Sequence, residues 1–271
     1  MKYAICNETF ENWDHERVCA RAAELGYTGL EVAPFTLAPL ITDVPAARRA
    51  ELRRQAETAG VRIIGLHWLL AKTTGFHLTS PDPAVRRKTG EYLADLTRAT
   101  ADLGGDLMVL GSPFQRNLAE GMSPAEGDDL AADTLSHCLK ALEECRVTLC
   151  LEPLTPAETN YMTTAAAGTA LCRRMAHPYV KLHLDVKAMS SEAAPVPDVI
   201  RANAEYLHHF HANDPNKRGP GFGSVDFRPV FRALADVGYA GWVSVEVFDY
   251  TPDPDTIARE SIRYMRECAG G

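Results

Sequence analysis

The sequence predicts one α/β domain over residues 1–271, folded as a single (β/α)8 TIM barrel. Three observations predict it. Eight short runs of branched or apolar residues recur along the chain. The segments between them carry helical spacing and helix-forming residues. The length of 271 residues suits eight strand–helix units, which occupy about 250 residues in such barrels. Strict alternation implies parallel strands joined by crossover helices, and eight repeats in this length favour a closed barrel over an open doubly wound sheet.

The candidate strands are 3–7, 29–34, 62–68, 107–113, 148–154, 180–186, 207–214 and 242–247. Helices are expected over 45–59, 83–103, 124–145, 163–176 and 255–268. Several of these open on a proline suited to a first helical turn, such as Pro83 after Asp82 and Pro124 after Ser123. Several helical segments close on a glycine just before the next strand, at Gly26, Gly60, Gly104 and Gly238. The first strand–helix junction, Cys6-Asn7-Glu8-Thr9-Phe10, lacks the glycines of a pyrophosphate loop, so no dinucleotide site opens the chain.

Composition narrows the function. Lysine and arginine total 28 against 36 aspartate and glutamate, a net charge of −8 that repels nucleic acid and anionic lipid. Seven cysteines are scattered without a C-x-x-C pair, which reads as reduced, buried thiols. The opening MKYAICNETF has no apolar core of the kind a secretory signal needs, and no apolar run of about 18 residues follows. A cytoplasmic protein with no nucleic-acid or membrane partner is expected; whether it forms homo-oligomers stays open.

Strand parity then selects candidate site residues. Side chains alternate between the barrel axis and the helix layer. Thr148, Cys150 and Glu152 share one face, as do Lys181, His183 and Asp185; so do His209 and His211, and Trp242, Ser244 and Glu246. The apolar faces belong under the helices, which turns the polar sets inward. Four strands thus aim Glu152, Asp185, His211 and Glu246 at one point. Three carboxylates crowded there repel one another, and a divalent cation relieves that repulsion. Oxygen donors with one imidazole suit Mn²⁺, Mg²⁺ or Co²⁺ better than a thiolate zinc site. His183 and His209 fall one layer deeper, in position to hydrogen-bond these ligands. Glu31 and Lys181 are expected as a buried pair.

Leu151-Glu152-Pro153-Leu154, His183-Leu184-Asp185, His209-Phe210-His211 and Ser244-Val245-Glu246 resemble the xylose isomerase-like barrel superfamily. Within it, the likeness is nearest to ketose 3-epimerases of the tagatose/psicose (allulose) type. The resemblance implies one divalent metal, Mn²⁺ first and Co²⁺ or Mg²⁺ next, held by Glu152, Asp185, His211 and Glu246. It also implies a carbohydrate substrate, with Glu152 and Glu246 as the acid/base pair that moves a proton through a cis-enediolate. It places Glu158 at the substrate end. Where the family usually has a histidine three residues past the metal aspartate, this chain has Ala188, beside Lys187; where the family often has a substrate-binding arginine it has Lys217 and Arg218. Lys187, Lys217 and Arg218 are therefore candidate substrate contacts.

Three further candidates come from position alone: His67 and Trp68 at the end of the third strand, and Arg116 after Gly111-Ser112-Pro113. The glycine-rich segment 219–223 is expected to be a mobile loop that allows close approach of a ligand. The same four ligands also serve hydroxypyruvate-type aldose–ketose isomerases and inosose-type dehydratases. An apurinic endonuclease-like hydrolase and a non-catalytic sugar-binding barrel are the remaining alternatives.

Overall fold

The computed structural model describes residues 1–270. Eight parallel strands pair in sequence order and close into a barrel. They are β1 (Lys2–Cys6), β2 (Gly29–Val32), β3 (Arg62–Leu66), β4 (Leu107–Leu110), β5 (Thr148–Leu151), β6 (Val180–Asp185), β7 (Leu207–Ala212) and β8 (Trp242–Val245). The ring closes where Lys2–Ile5 pair with Trp242–Val245. Helices follow as α1 (His15–Leu25), α2 (Ala46–Ala59), α3 (Pro83–Asp102), α4 (Pro124–Ser136), α5 (Leu139–Cys145), α6 (Ala165–Met175), α7 (Val186–Met189), α8 (Val196–Ala202), α9 (Phe227–Asp236) and α10 (Pro254–Cys268). Among the described residues no helix is long and apolar enough to cross a membrane.

Local chemistry sets the helix ends. Asp82 accepts from Ala84 N ahead of Pro83, and Ser123 and Glu126 form a reciprocal capping box ahead of Pro124. The glycines expected to end helical segments, Gly26, Gly60, Gly104 and Gly238, all have positive φ. The expected helix over 124–145 is broken in two. At the break, His137 N and Cys138 N bond to Thr134 O and Leu135 O, three residues back, while Thr134 Oγ1 donates to Leu78 O at 2.7 Å. Gly90 of α3 packs against the same turn, where a Cβ would lie 2.3 Å from Thr134 O.

Two cores result. One lies between strands and helices and takes Leu149, Leu151, Leu182, Leu184, Phe210, Val243 and Val245, the faces that parity assigns there. The other is a plug inside the lower half of the barrel, made of Ala4, Ile64, Leu107, Val109, Cys150 and Trp242. Inward positions nearer the C-terminal ends of the strands turn polar, and this puts the chemistry at the mouth where barrel enzymes carry it. Most observed strands stop short of their expected C-terminal ends, so Glu152, Glu246 and His67 each sit one residue past a strand.

Candidate active site

Asp185 ends β6, His211 lies near the end of β7, and Glu152 and Glu246 follow β5 and β8; all four are at least 97% buried. Glu152, Asp185 and His211, together with His183, each offer a ligand atom within 4.8 Å of the others. His183 therefore stands with the ligand group rather than behind it, with Nε2 3.7 Å from Glu152 Oε1. Glu246 joins through His211, whose Nδ1 is 3.1 Å from Glu246 Oε2.

Fixed partners orient each group. Asp185 Oδ1 accepts from Ala188 N at 2.7 Å, and Oδ2 from Asn213 Nδ2 at 2.5 Å. Trp68 Nε1 donates to Glu246 Oε1 at 2.7 Å. The indole stacks on Phe248 at 5.6 Å, and Trp68 holds φ 52, a left-handed backbone rare for a bulky side chain. Gly111 makes room for Glu152, since a Cβ there would meet Glu152 Oε2 at 1.5 Å.

A second layer runs beneath. Glu31 Oε2 lies 2.8 Å from His209 Nε2 and 3.1 Å from His211 Nε2. This corrects the expected Glu31–Lys181 pair. Lys181 sits at the lower end of β6, partly exposed, with its ammonium 5.4 Å from the Tyr206 ring, while the inward Glu31 carboxylate meets two imidazoles of β7. His209 bonds Glu31 and also offers a ligand atom within 4.8 Å of His183 and His211.

The charges pull in opposite directions. Burial raises the Glu152 carboxyl well above the carboxylate range, and Glu246 and Asp185 add to the rise. Burial and Glu246 likewise push Asp185 up to about 6. Burial would raise Glu246 too, but the adjacent His211 outweighs it and the group is held low. Burial opposes charge on His211, yet the carboxylates of Glu31 and Glu246 on either side raise it. Burial and the neighbouring imidazoles hold His183 well below its ordinary value, so it is neutral and free to donate an electron pair.

These donors fit a divalent cation. His183 Nδ1 and Nε2 are buried without hydrogen-bond partners, and His211 Nδ1 and Glu246 Oε2 meet only each other, without good alignment. Such groups are costly to leave unpaired, and two oxygens with two imidazoles are an ordinary transition-metal set.

The other candidates separate. Lys187 Nζ donates to Glu158 Oε1 at 2.6 Å and lies 4.2 Å from the Phe248 ring, so two expected substrate contacts form one buried-edge pair. His67 is fully buried, with Nε2 2.9 Å from Glu8 Oε2; Glu8, His67 and Glu246 form a second close group. Arg116 is corrected. It is 1% exposed and donates to Glu152 O at 2.6 Å and Leu110 O at 2.5 Å, tying β4 to β5 instead of reaching a ligand. Arg218 is partly exposed, with its guanidinium bonded to Asp249 at 2.9 Å and Thr251 at 2.7 Å. Lys217 beside it is exposed and contributes its carbonyl to Phe248 N and Asp249 N. The glycines of 219–223 approach the protein's own side chains, Gly223 against Asp214 and Gly219 against Ser261.

Sequence reasoning missed Glu8, Asn213, Gly111 and Phe248. Glu8 and Gly111 stood in quoted junctions, and Asn213 follows the β7 ligand by two residues, the inward spacing; that parity was the one signal able to find it.

The sequence signature of the xylose isomerase-like TIM barrel matches residues 19–268, so the chain belongs to that family. It is 28% identical to a D-psicose 3-epimerase of Ruminiclostridium cellulolyticum, over 92% of this chain and 84% of that one. It is 30% identical to a Streptomyces coelicolor protein provisionally named a hydroxypyruvate isomerase, over 89% and 86%. The structure of D-psicose 3-epimerase with D-tagatose from Clostridium cellulolyticum H10 superposes with a TM-score of 0.87 at 23% identity, covering 99% of both chains, which is a likeness of fold.

Proposed function

We propose that this protein is a metal-dependent epimerase of a ketose or related hydroxy-ketone, with Glu152 and Glu246 as its acid/base pair. One observation carries the reading. Two buried carboxylates three strands apart meet at the barrel mouth: Glu152 belongs to the close group of ligand atoms, and Glu246 touches that group at His211, 3.1 Å away. Carboxylates so placed can take a proton from one face of a bound carbon and return one to the other.

Glu152, Asp185, His211 and Glu246 would hold the metal, with His183 close enough to join them. When bound, a divalent cation supplies the positive charge that makes a carbon beside a ketone acidic enough for a carboxylate base. Glu246 is the base, ionised beside His211 and oriented by Trp68. Glu152, a member of the same group of ligand atoms three strands away, would pass the proton on the other face of the same carbon. The Lys187 ammonium, fixed by Glu158, offers a donor to a substrate oxygen where Ala188 has none. The epimerase relatives support the ketose assignment. The Streptomyces relative favours a second reading on the same carboxylates, aldose–ketose isomerisation.

The deciding experiment incubates Mn²⁺-loaded protein with a panel of free and phosphorylated ketoses in D₂O. Deuterium at the carbon that inverts, beside the ketone, is expected. Deuterium at the terminal carbon with an aldose product selects the isomerase, loss of water selects a dehydratase, and no exchange into any sugar overturns the assignment.

A further inference from the structure

Trp68 has two neighbourhoods. Its indole nitrogen is bonded to Glu246 in the site, while its ring also lines a cavity of about 670 Å³ between the loops that follow β1, β2 and β3. That volume lies within the range of small-molecule pockets, about 300–1,000 Å³. Phe10, Trp13, Phe35 and Tyr250 line it with Trp68. The rings are preset: Phe10 packs on Trp13 at 5.3 Å and Phe35 on Trp68 at 5.7 Å. Cations hold the outer rings, with Arg17 3.6 Å from Trp13 and Lys72 3.9 Å from Phe35.

The cavity wall touches the site at a second residue. Glu8 lines it, and Glu8 is paired with His67 in the close group that includes Glu246. Both Glu8 oxygens and both His67 nitrogens are buried without a well-aligned hydrogen bond, although Glu8 is 94% buried. A buried carboxylate at one edge, poorly aligned with its single imidazole partner, and aromatic walls beyond it match a molecule that offers hydroxyls at one end and a ring at the other.

On the reading of the site given above, we propose that the cavity is a subsite for a ring substituent carried by the keto sugar. The substrate is then a glycoside-like ketose rather than a free one. The sugar end, with its ketone, meets the carboxylates; its hydroxyls meet Glu8 and His67; and the attached ring lies against the aromatic wall beyond Trp68. No covalent step is added to the reaction.

The test compares fructose with isomaltulose, a fructose whose far end carries a glucosyl ring and whose reacting end is free. The metal-loaded enzyme is expected to show kcat/KM at least about tenfold higher for isomaltulose. Trp13→Ala, which strips the wall, and Leu37→Trp, which fills the same cavity, should bring the ratio near one while fructose turnover stays within about twofold. A ratio near one in the unaltered enzyme, or one that survives both variants, overturns the proposal. Calorimetric titration with phenyl β-D-glucoside separates this from failure of the reaction assignment. Binding that weakens at least about tenfold in Leu37→Trp supports the subsite even where no ketose turns over, and absence of binding to the unaltered protein overturns it.

Discussion

The indole nitrogen of Trp68 lies 2.7 Å from Oε1 of Glu246, a contact between the third strand's exit and the eighth's. It fixes one oxygen of the carboxylate and leaves the other facing His211. Trp68→Phe keeps the ring that stacks on Phe248 and removes the donor. An unsatisfied buried oxygen costs about 1–3 kcal/mol, so kcat should fall by roughly tenfold with little change in KM. Steady-state kinetics on the substrate identified by deuterium exchange checks this, and an unchanged kcat would remove Trp68 from the positioning of Glu246.

Glu152→Gln and Glu246→Gln keep the side-chain size and abolish proton transfer. Each should lower turnover by about 10²-fold or more if the residue is the acid or the base. Chelation with EDTA should silence the unaltered enzyme, and Mn²⁺ or Co²⁺ should restore it. Near-normal rates in either variant exclude that residue from the mechanism.

Protons and the cation compete for the same oxygens. Glu152 is raised and Asp185 titrates at about 6 in the metal-free protein. Both must be ionised, and His211, also raised, must be neutral to bind a cation, so affinity should fall progressively as pH drops, with the Asp185 contribution lost through about 6. The slope should approach tenfold per pH unit for each proton displaced. Mn²⁺ titration by calorimetry between pH 5 and 7.5 measures it, and a flat profile would contradict the assigned ligands.

Gly111→Ala places a methyl where Glu152 Oε2 now lies. The clash is with the far end of a side chain, so the barrel should fold and the carboxylate should swing away. Overpacking of this kind costs about 1–3 kcal/mol; the larger effect should be lost Mn²⁺ affinity. Thermal denaturation and metal titration read the two separately.

Arg116→Met leaves the carbonyls of Leu110 and Glu152 without their donor. At least about 2 kcal/mol of stability should be lost, a fall in Tm of roughly 4–8 °C for a chain this size. Substrate KM should move little in the variant that remains folded. A large KM change without loss of stability would return Arg116 to the substrate.

The barrel was legible because its signals are local and repeated: apolar strands, proline openings and glycine endings recur with each unit. Strand parity is a rigid rule and places Glu152, Asp185, His211 and Glu246 at one mouth, but it does not report distance: the close group of ligand atoms takes His183, and Glu246 meets it only through His211. What escaped depends on distances across the ring. Parity turned Glu31 inward correctly but does not report height, so it was matched with Lys181 at the lower end of β6 instead of His209 and His211. Arg116 and Arg218 lie on loops, where no periodicity says whether a long cation reaches a ligand or a backbone carbonyl. The break after Ser136 arose from a close approach of α3 at Gly90, a contact invisible in α4's own residues.

The chain has three tryptophans, and each occupies a different chemical setting. Trp242 plugs the far mouth beneath the Lys2 ammonium, Trp13 stands under Arg17, and Trp68 donates a hydrogen bond to a carboxylate of the candidate site. Whatever takes hold of Glu246 must alter the electric field along that indole. The molecule thus carries its own optical gauge: the emission of one native fluorophore registers occupancy of the mouth without any attached dye.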